Sequence, residues 1–252
     1  MKEFLFQIKK KLIAFLKLQA RNLQRLFVRT KMSREESFNV PIVLNNRNRY
    51  TYLKDLVDWL QKAGYKNIFI LDNDSDYPEL LDYYKRTPAR VIFLKKNAGY
   101  KALWEIEFFN EIKKGYYVYS DSDLIPDQKC PEDIVYRLYQ VLSRYHIEKC
   151  GPALKIDDLP DSYDRKKEVI AFERKHWLQE IEKDVFDAPL DTTFALYKPF
   201  AFGNAEEIKA YRVGGNLTFV HLPWYEDSKN LSKEAEYYKK SATSSSYWYT
   251  QK

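Results

Sequence analysis

Glycine is scarce in this 252-residue chain, at seven positions, and neither G-x-G-x-x-G nor G-x-x-x-x-G-K-[ST] occurs. A dinucleotide or nucleoside triphosphate held by a glycine-rich loop is therefore not expected. There are two cysteines, Cys130 and Cys150, without C-x-x-C spacing, and no signal-peptide pattern. That argues for a reducing compartment, against a zinc site, and for a cytoplasmic protein. No apolar run approaches the ~20 residues that span a bilayer, and no internal repeat is present. What the chain has in quantity is aromatic residues, 16% with 21 Tyr, and a hydrophobic fraction of 45%. One globular body with a full core is expected.

The net charge of +6 is unevenly spread, because residues 1–34 carry ten Lys/Arg against one Glu. The remainder is then 6 − 9 = −3, so no nucleic-acid footprint is expected across the fold. Within residues 1–31 Leu5, Ile8, Leu12, Phe15, Leu16, Leu23, Leu26 and Phe27 fall on one helical stripe. Lys10, Lys11, Lys17, Arg21, Arg25 and Arg29 fall opposite. A helix of this kind lies in an anionic membrane interface, or packs its stripe on its own domain or on a second copy in a homodimer. Residues 31–38 read as a polar linker, so 1–38 form a helix-and-linker unit before a domain over 39–228.

From Asn39 onward short β-favouring runs alternate with helical stretches of 10 to 15 residues, the pattern of an α/β fold with a parallel sheet. Strands are expected at 40–44, 67–71, 90–94 and 116–119, and helices at 50–63, 77–86 and 102–114. Gly64 follows the first helix as a left-handed C-cap. Each strand ends in a polar cluster: Asn45 and Arg47, then Asp72, then Asn97 and Lys101, then Asp121-Ser122-Asp123. In a parallel sheet these clusters share the rim where open α/β sheets bind ligands. Carboxylates one residue apart suit a divalent cation carrying a diphosphate, although Asp-rich turns are also common in loops.

The ordered set V-P-I-V-L-N-N-R-N-R, I-L-D-N-D-S, N-A-G-Y-K-A and Y-V-Y-S-D-S-D resembles the nucleotide-sugar half of GT-A fold glycosyltransferases, in particular family-2-like bacterial enzymes. The resemblance covers residues 39–225. It implies a Rossmann-like, mostly parallel central sheet flanked by helices, with a nucleotide-sugar half at 39–126 and an acceptor half at 127–228. It further implies that Asp72 contacts the nucleotide base, that Asp121 takes the ribose side, and that Asp123 holds Mn2+ or Mg2+ with Asp121 beside it. A histidine after the last core strand completes the metal shell in many such enzymes. His221 has that position, or is a buried packing histidine.

In the acceptor half, helices are expected at 131–145 and 166–183 and a strand at 149–156. Asp191 stands where the family has a Glu-Asp pair whose acid deprotonates the acceptor hydroxyl; here the pair reads Leu190-Asp191. Asp191 is thus the candidate base or a helix N-cap, with Asp157 and Asp158 as rivals. Trp177, Trp224 and Tyr225 stack on a sugar or belong to the core. Residues 229–252 begin as a charged helix and end as a lid or an unfolded tail. The implied activity is that of a hexosyltransferase-type enzyme, with a UDP-sugar as donor and a glycan or lipid-linked acceptor. The setting it implies is surface-polysaccharide synthesis at the inner face of the cell membrane. A sugar-phosphate nucleotidyltransferase and a catalytically silent scaffold are the rival readings.

Overall fold

The computed structural model describes residues 2–204 and 207–241. The side chains of Leu5, Ile8, Lys10 and Lys11 lie outside the described set, as do residues 242–252. Strand β1 (Ile42–Asn46) runs between β2 (Ile68–Asp72) and β4 (Tyr117–Asp121), and β3 (Arg90–Phe93) flanks β2; all three pairings are parallel. Both faces of this half are covered. Ile42, Leu44 and Val118 join one cluster and Val43, Tyr117 and Tyr119 the other, as period-two alternation requires. Helix α3 (Thr51–Lys62) supplies Leu53, Leu56, Val57 and Leu60 to the first cluster, all at 0% exposure. Each such side chain contributes about 1.5–3 kcal/mol of burial. The helix ends in a Schellman turn: Tyr65 N donates to Leu60 O at 3.0 Å, and Gly64 takes the positive φ of 98°.

The second half continues the sheet with strands of both directions. After β5 (Leu124–Pro126) come α6 (Ile134–Arg144), β6 (Lys149–Pro152), α7 (Lys166–Glu173), β7 (Glu180–Glu182), β8 (Val185–Phe186), β9 (Ala195–Tyr197), β10 (Ala210–Val213) and β11 (Phe219–His221). The nine-stranded order is β3-β2-β1-β4-β9-β6-β10-β8-β7, and β11 pairs with β5 apart from it. Only β9 and β8 are reversed, so the mostly parallel sheet expected from the sequence is what forms. Gly151 in β6 has a close-approach role. A Cβ there would lie 2.7 Å from Leu190 Cδ2 and 3.0 Å from Thr193 O, so only glycine lets the segment before β9 cross the strand.

Several boundaries differ from expectation. The 31–38 linker contains a helical turn, α2 (Arg34–Ser37), held by the Ser33–Glu36 capping box. The 102–114 helix splits into a 3-10 turn (Gly99–Glu105) and α5 (Phe108–Ile112), with Ile106 extended between them. The break lets Leu103 and Phe108 face one cluster. The 166–183 helix stops at Glu173, because Val185 and Phe186 pair with β10 and their hairpin turns back through Asp184 at φ 61°. Strand 149–156 stops at Pro152. Helices α4 (Pro78–Tyr84) and α8 (Lys233–Ser241) lie within the expected spans, and α1 (Lys2–Arg25) is the expected N-terminal helix.

Helix α1 meets the domain through its basic face. Arg21 and Arg25 converge on Glu148 at 2.7 and 2.8 Å, and Arg25 Nε donates to Pro199 O. Leu12, Phe15, Leu16, Leu23, Leu26 and Phe27 point to solvent, at 55% to 82% exposure. These six described members of the stripe therefore do not pack on their own domain.

At the start of β6, Lys149 is fully buried and donates to Gly203 O, Tyr197 Oη and Asp191 O at 3.2, 3.3 and 3.4 Å. Burial lowers its pKa from 10.5 to about 8, against the opposing pull of Asp191 and Glu207. Between those two values the unfolded chain binds more protons than the folded one, so this lysine makes stability rise with pH. The unfolding free energy of wild type relative to Lys149→Met should climb by about 3 kcal/mol across that window. A difference that stays flat in pH-dependent denaturant titrations contradicts the assignment.

Candidate active site

The carboxyl ends of β1 to β4 open on one cavity of about 530 Å³. Asn45, Arg47, Asn97, Asp121, Asp123, Asp191 and His221 all line it, so seven of the expected residues converge. The two halves are stitched directly beneath. Asp121 N donates to Thr192 O at 2.7 Å, Thr192 Oγ1 to Asp121 Oδ2 at 2.8 Å, and Phe194 N to Ser120 Oγ at 3.1 Å. Burial, then the charges of Asp123 and Asp191, push the Asp121 carboxyl well above its ordinary range, with the Thr192 bond opposing.

Antiparallel pairing of β5 with β11 sets Leu124 opposite His221, and Leu222 N donates to Asp123 O. This brings His221 Nε2 to 3.6 Å from Asp123 Oδ2. Asp123 Oδ1 and His221 Nδ1 are buried without a hydrogen-bond partner, an expensive arrangement unless something else is bound there. Burial lowers the His221 pKa against the pull of Asp123, which keeps the imidazole neutral and able to act as a ligand. The other two polar atoms of these side chains, His221 Nε2 and Asp123 Oδ2, stand 3.6 Å apart, close enough to share one cation. Among the described residues no cluster of three or more His, Cys, Asp or Glu could hold a metal alone. The remaining positions of such a cation would fall to water and substrate oxygens, as magnesium sites commonly have it.

Asp72 is not on the cavity wall. It is 2% exposed and accepts from Tyr84 Oη at 2.8 Å and from Ser75 N at 3.2 Å. Tyr84 Oη in turn accepts from Asn46 Nδ2 at 2.9 Å, and Asn46 Oδ1 accepts from Ser122 Oγ at 2.6 Å. A buried relay thus runs from the end of β2 to the serine between the two aspartates. Asn73, the next residue, is the one that reaches the cavity, and it holds the 97–99 loop through Gly99 O and Ala98 N. Lys101 also lies off the wall, its ammonium over the ring of Tyr100.

On the other side Asp191 is exposed to the cavity, and no helix begins after it, so the N-cap reading fails. Asp157 and Asp158 are exposed outside the lining, with Asp158 bonded to Lys155 at 2.6 Å and to Tyr225 Oη. Trp224 lines the cavity against His221, whereas Trp177 packs on Phe186. Sequence reasoning missed the wall made by Phe172, Glu173, His176 and Arg212. Glu173 and Arg212 form a buried ion pair at 2.6 Å, and burial lowers His176 to about 4, keeping it neutral. The spacing of Phe172, Glu173 and His176, one helical turn, was the available signal.

No family model and no curated protein sequence matches the chain. Among solved structures it is similar to S. aureus TarS, at 12% identity and TM-score 0.42 over 72% of this chain and 36% of that one. It is also similar to GalNAc-T7 with UDP, GalNAc and Mn2+, at 12% identity and TM-score 0.48 over 73% and 43%. The chain spans less than half the length of either. The architecture is mixed α/β, with a large, mostly parallel central sheet flanked by helices. Its parallel half matches the mostly parallel sheet expected from the sequence, and the reversed strand beside β4 is an addition to that expectation.

If the orphaned pair holds a cation, Mn2+ should raise the melting temperature of wild type and leave Asp123→Ala and His221→Ala unmoved. Tyr84→Phe removes one donor and one acceptor from the relay without touching the cavity. It should cost about 1–3 kcal/mol and weaken Mn2+ binding, whereas an unchanged Mn2+ titration would show that the relay does not position the D-S-D turn.

Proposed function

We propose that the chain is a metal-dependent glycosyltransferase moving a sugar from a UDP-sugar to a glycan or lipid-linked acceptor in bacterial surface-polysaccharide synthesis. The observation that carries the reading is the Asp123–His221 pair with its two orphaned atoms, across one cavity from Asp191. Mn2+ or Mg2+, when bound, supplies Lewis-acid stabilisation of the departing diphosphate. Asp123 and His221 would hold the metal, while Asp121 and Asn45, side by side in the β1–β4 register, face the donor's ribose. Arg47, Asn73 and Asn97 line the nucleotide side. Asp191 accepts the proton of the acceptor hydroxyl as that oxygen attacks the anomeric carbon, which inverts the centre. Glu173 and Arg212 form the wall against which the acceptor is oriented.

Asp191→Asn should leave donor affinity intact and lower turnover by roughly 10² or more, the usual worth of a positioned base. Full turnover in that variant rejects Asp191. Slow release of UDP from a UDP-sugar supports the transferase. Pyrophosphate from a sugar phosphate and NTP supports the nucleotidyltransferase instead, and neither product supports the scaffold.

The same reading extends to location: α1 seats the enzyme on the inner face of the cell membrane. Its solvent-facing Leu and Phe stripe supports insertion into an anionic interface, with Lys9 and Lys31 exposed nearby. Arg21 and Arg25, engaged by Glu148, contribute nothing to lipid attraction. Removing residues 1–31 would strand Glu148, so Phe15→Ser, Leu23→Ser and Phe27→Ser together are the cleaner test. That triple variant should leave anionic vesicles while keeping nucleotide binding. If wild type ignores vesicles, and the variant instead changes oligomeric mass in light scattering, the stripe is a homodimer surface.

A further inference from the structure

The C-terminal helix ends on the candidate site. Glu234 of α8 is buried at 8% exposure and accepts from Tyr50 N at 2.8 Å, Thr51 N at 3.0 Å and Thr51 Oγ1 at 2.6 Å. These are the first donors of α3, whose own N-cap residue Tyr50 makes no side-chain cap. A carboxylate from another element thus satisfies orphan amides at the positive end of the helix dipole. Two further contacts fix the helix over the turn that follows β1. Ser241 O accepts from Arg47 Nη1, and Ser241 Oγ accepts from Asn48 Nδ2 at 3.2 Å. Tyr237 packs on Tyr77 at 5.0 Å between ring centroids.

Between these anchors stands Tyr238, which lines the cavity, with the Arg49 guanidinium 3.7 Å from its ring centroid. Arg47 Nε and Asn45 Oδ1, on the same wall, are buried without partners. One is a cationic donor and the other an acceptor. Beside an aromatic ring, they offer the chemistry that binds a planar heterocycle joined to an anionic group. Asp72, the residue expected to meet the base, is turned away into the Tyr84 relay.

We propose that α8 is a built part of the donor site, with Tyr238 as the aromatic wall for the nucleotide's base and Glu234 as the latch that holds the helix against α3. This rests on the nucleotide-sugar reading above. Arg47 then has two tasks, fastening the end of α8 through Nη1 and meeting the nucleotide through Nε. Glu234 is a positioning residue, since it touches α3 and not the cavity.

The test is calorimetric titration of the full chain with UDP in Mn2+, and with Mn2+ alone. Tyr238→Ala should weaken UDP by about tenfold or more, the worth of one aromatic–base stack, with Mn2+ affinity unchanged. Tyr238→Phe, which restores the ring, should recover most of that loss. Glu234→Gln should weaken UDP and speed amide exchange across residues 233–241. UDP affinity unchanged in Tyr238→Ala overturns the proposal while leaving the glycosyltransferase reading intact. Equal loss of UDP and Mn2+ in Tyr238→Ala, not recovered by Phe, assigns the ring to the fold and also overturns it. Wild type that binds no nucleotide overturns both readings.

Discussion

The crossing of β4 by the reversed strand β9 is the constraint on which the site depends. The pairing sets Tyr117 against Tyr197, ring on ring at 4.8 Å, and then continues past the strand end through the Asp121–Thr192 bonds. Thr192 is therefore both the neighbour that fixes Asp121 and the residue after the candidate base. Because one backbone stitch sets the Asp121 and Asp191 positions together, a change in strand register would move both carboxylates at once. Gly151 is part of the same constraint, since any side chain there would lift the 190–194 segment off β6.

Three buried charges sit along this crossing, and each is held rather than merely tolerated. Lys149 ties the Asp191 and Gly203 carbonyls, Arg212 ties Glu173 and Pro189 O, and Glu148 draws in the last turns of α1. Replacing such groups by apolar ones can be neutral for stability, so their worth lies elsewhere. All three join segments far apart in the chain around the reversed strand. Directional bonds of this kind select one arrangement of the acceptor half where apolar packing would accept several.

The parallel half was legible because it obeys local rules. Short β-branched runs buried on both faces, helices with full apolar stripes and a glycine C-cap leave one answer for residues 39–126. The D-S-D turn and His221 were legible through family resemblance, and the β5–β11 pairing explains their meeting. The acceptor half was less so, since its strands are two to four residues long and take their register from partners distant in sequence. Strand β7 read as helix because Lys166 to Lys183 has helical composition, and only its pairing with β8, itself paired to β10, overrides it. Asp72 was misplaced for a different reason. A strand-end acid looks the same in sequence whether it faces solvent or a tyrosine two helical turns on, and here Tyr84 takes it. The role of α8 lay beyond local reading, because Glu234 caps a helix 183 residues away in the chain.

The electrostatics of the rim suggest what state the fold is built for. Asp121, Asp123 and Asp191 face one cavity, and the Asp121 carboxyl is shifted upward by burial and by its two acidic neighbours. A raised carboxylate pKa means that the ionised group costs stability at neutral pH, a cost relieved as pH falls or as a cation arrives. Arg47 and Arg49 bring the complementary sign to the same cavity, Arg49 steadied by Tyr238 and Glu226. A cavity lined by both carboxylates and guanidinium groups offers partners to a cation and to an anion at once. Helix α1 grips the amino end of β6, a strand inside the sheet, and the cavity opens where the strands end, a strand's length or roughly 15 Å away.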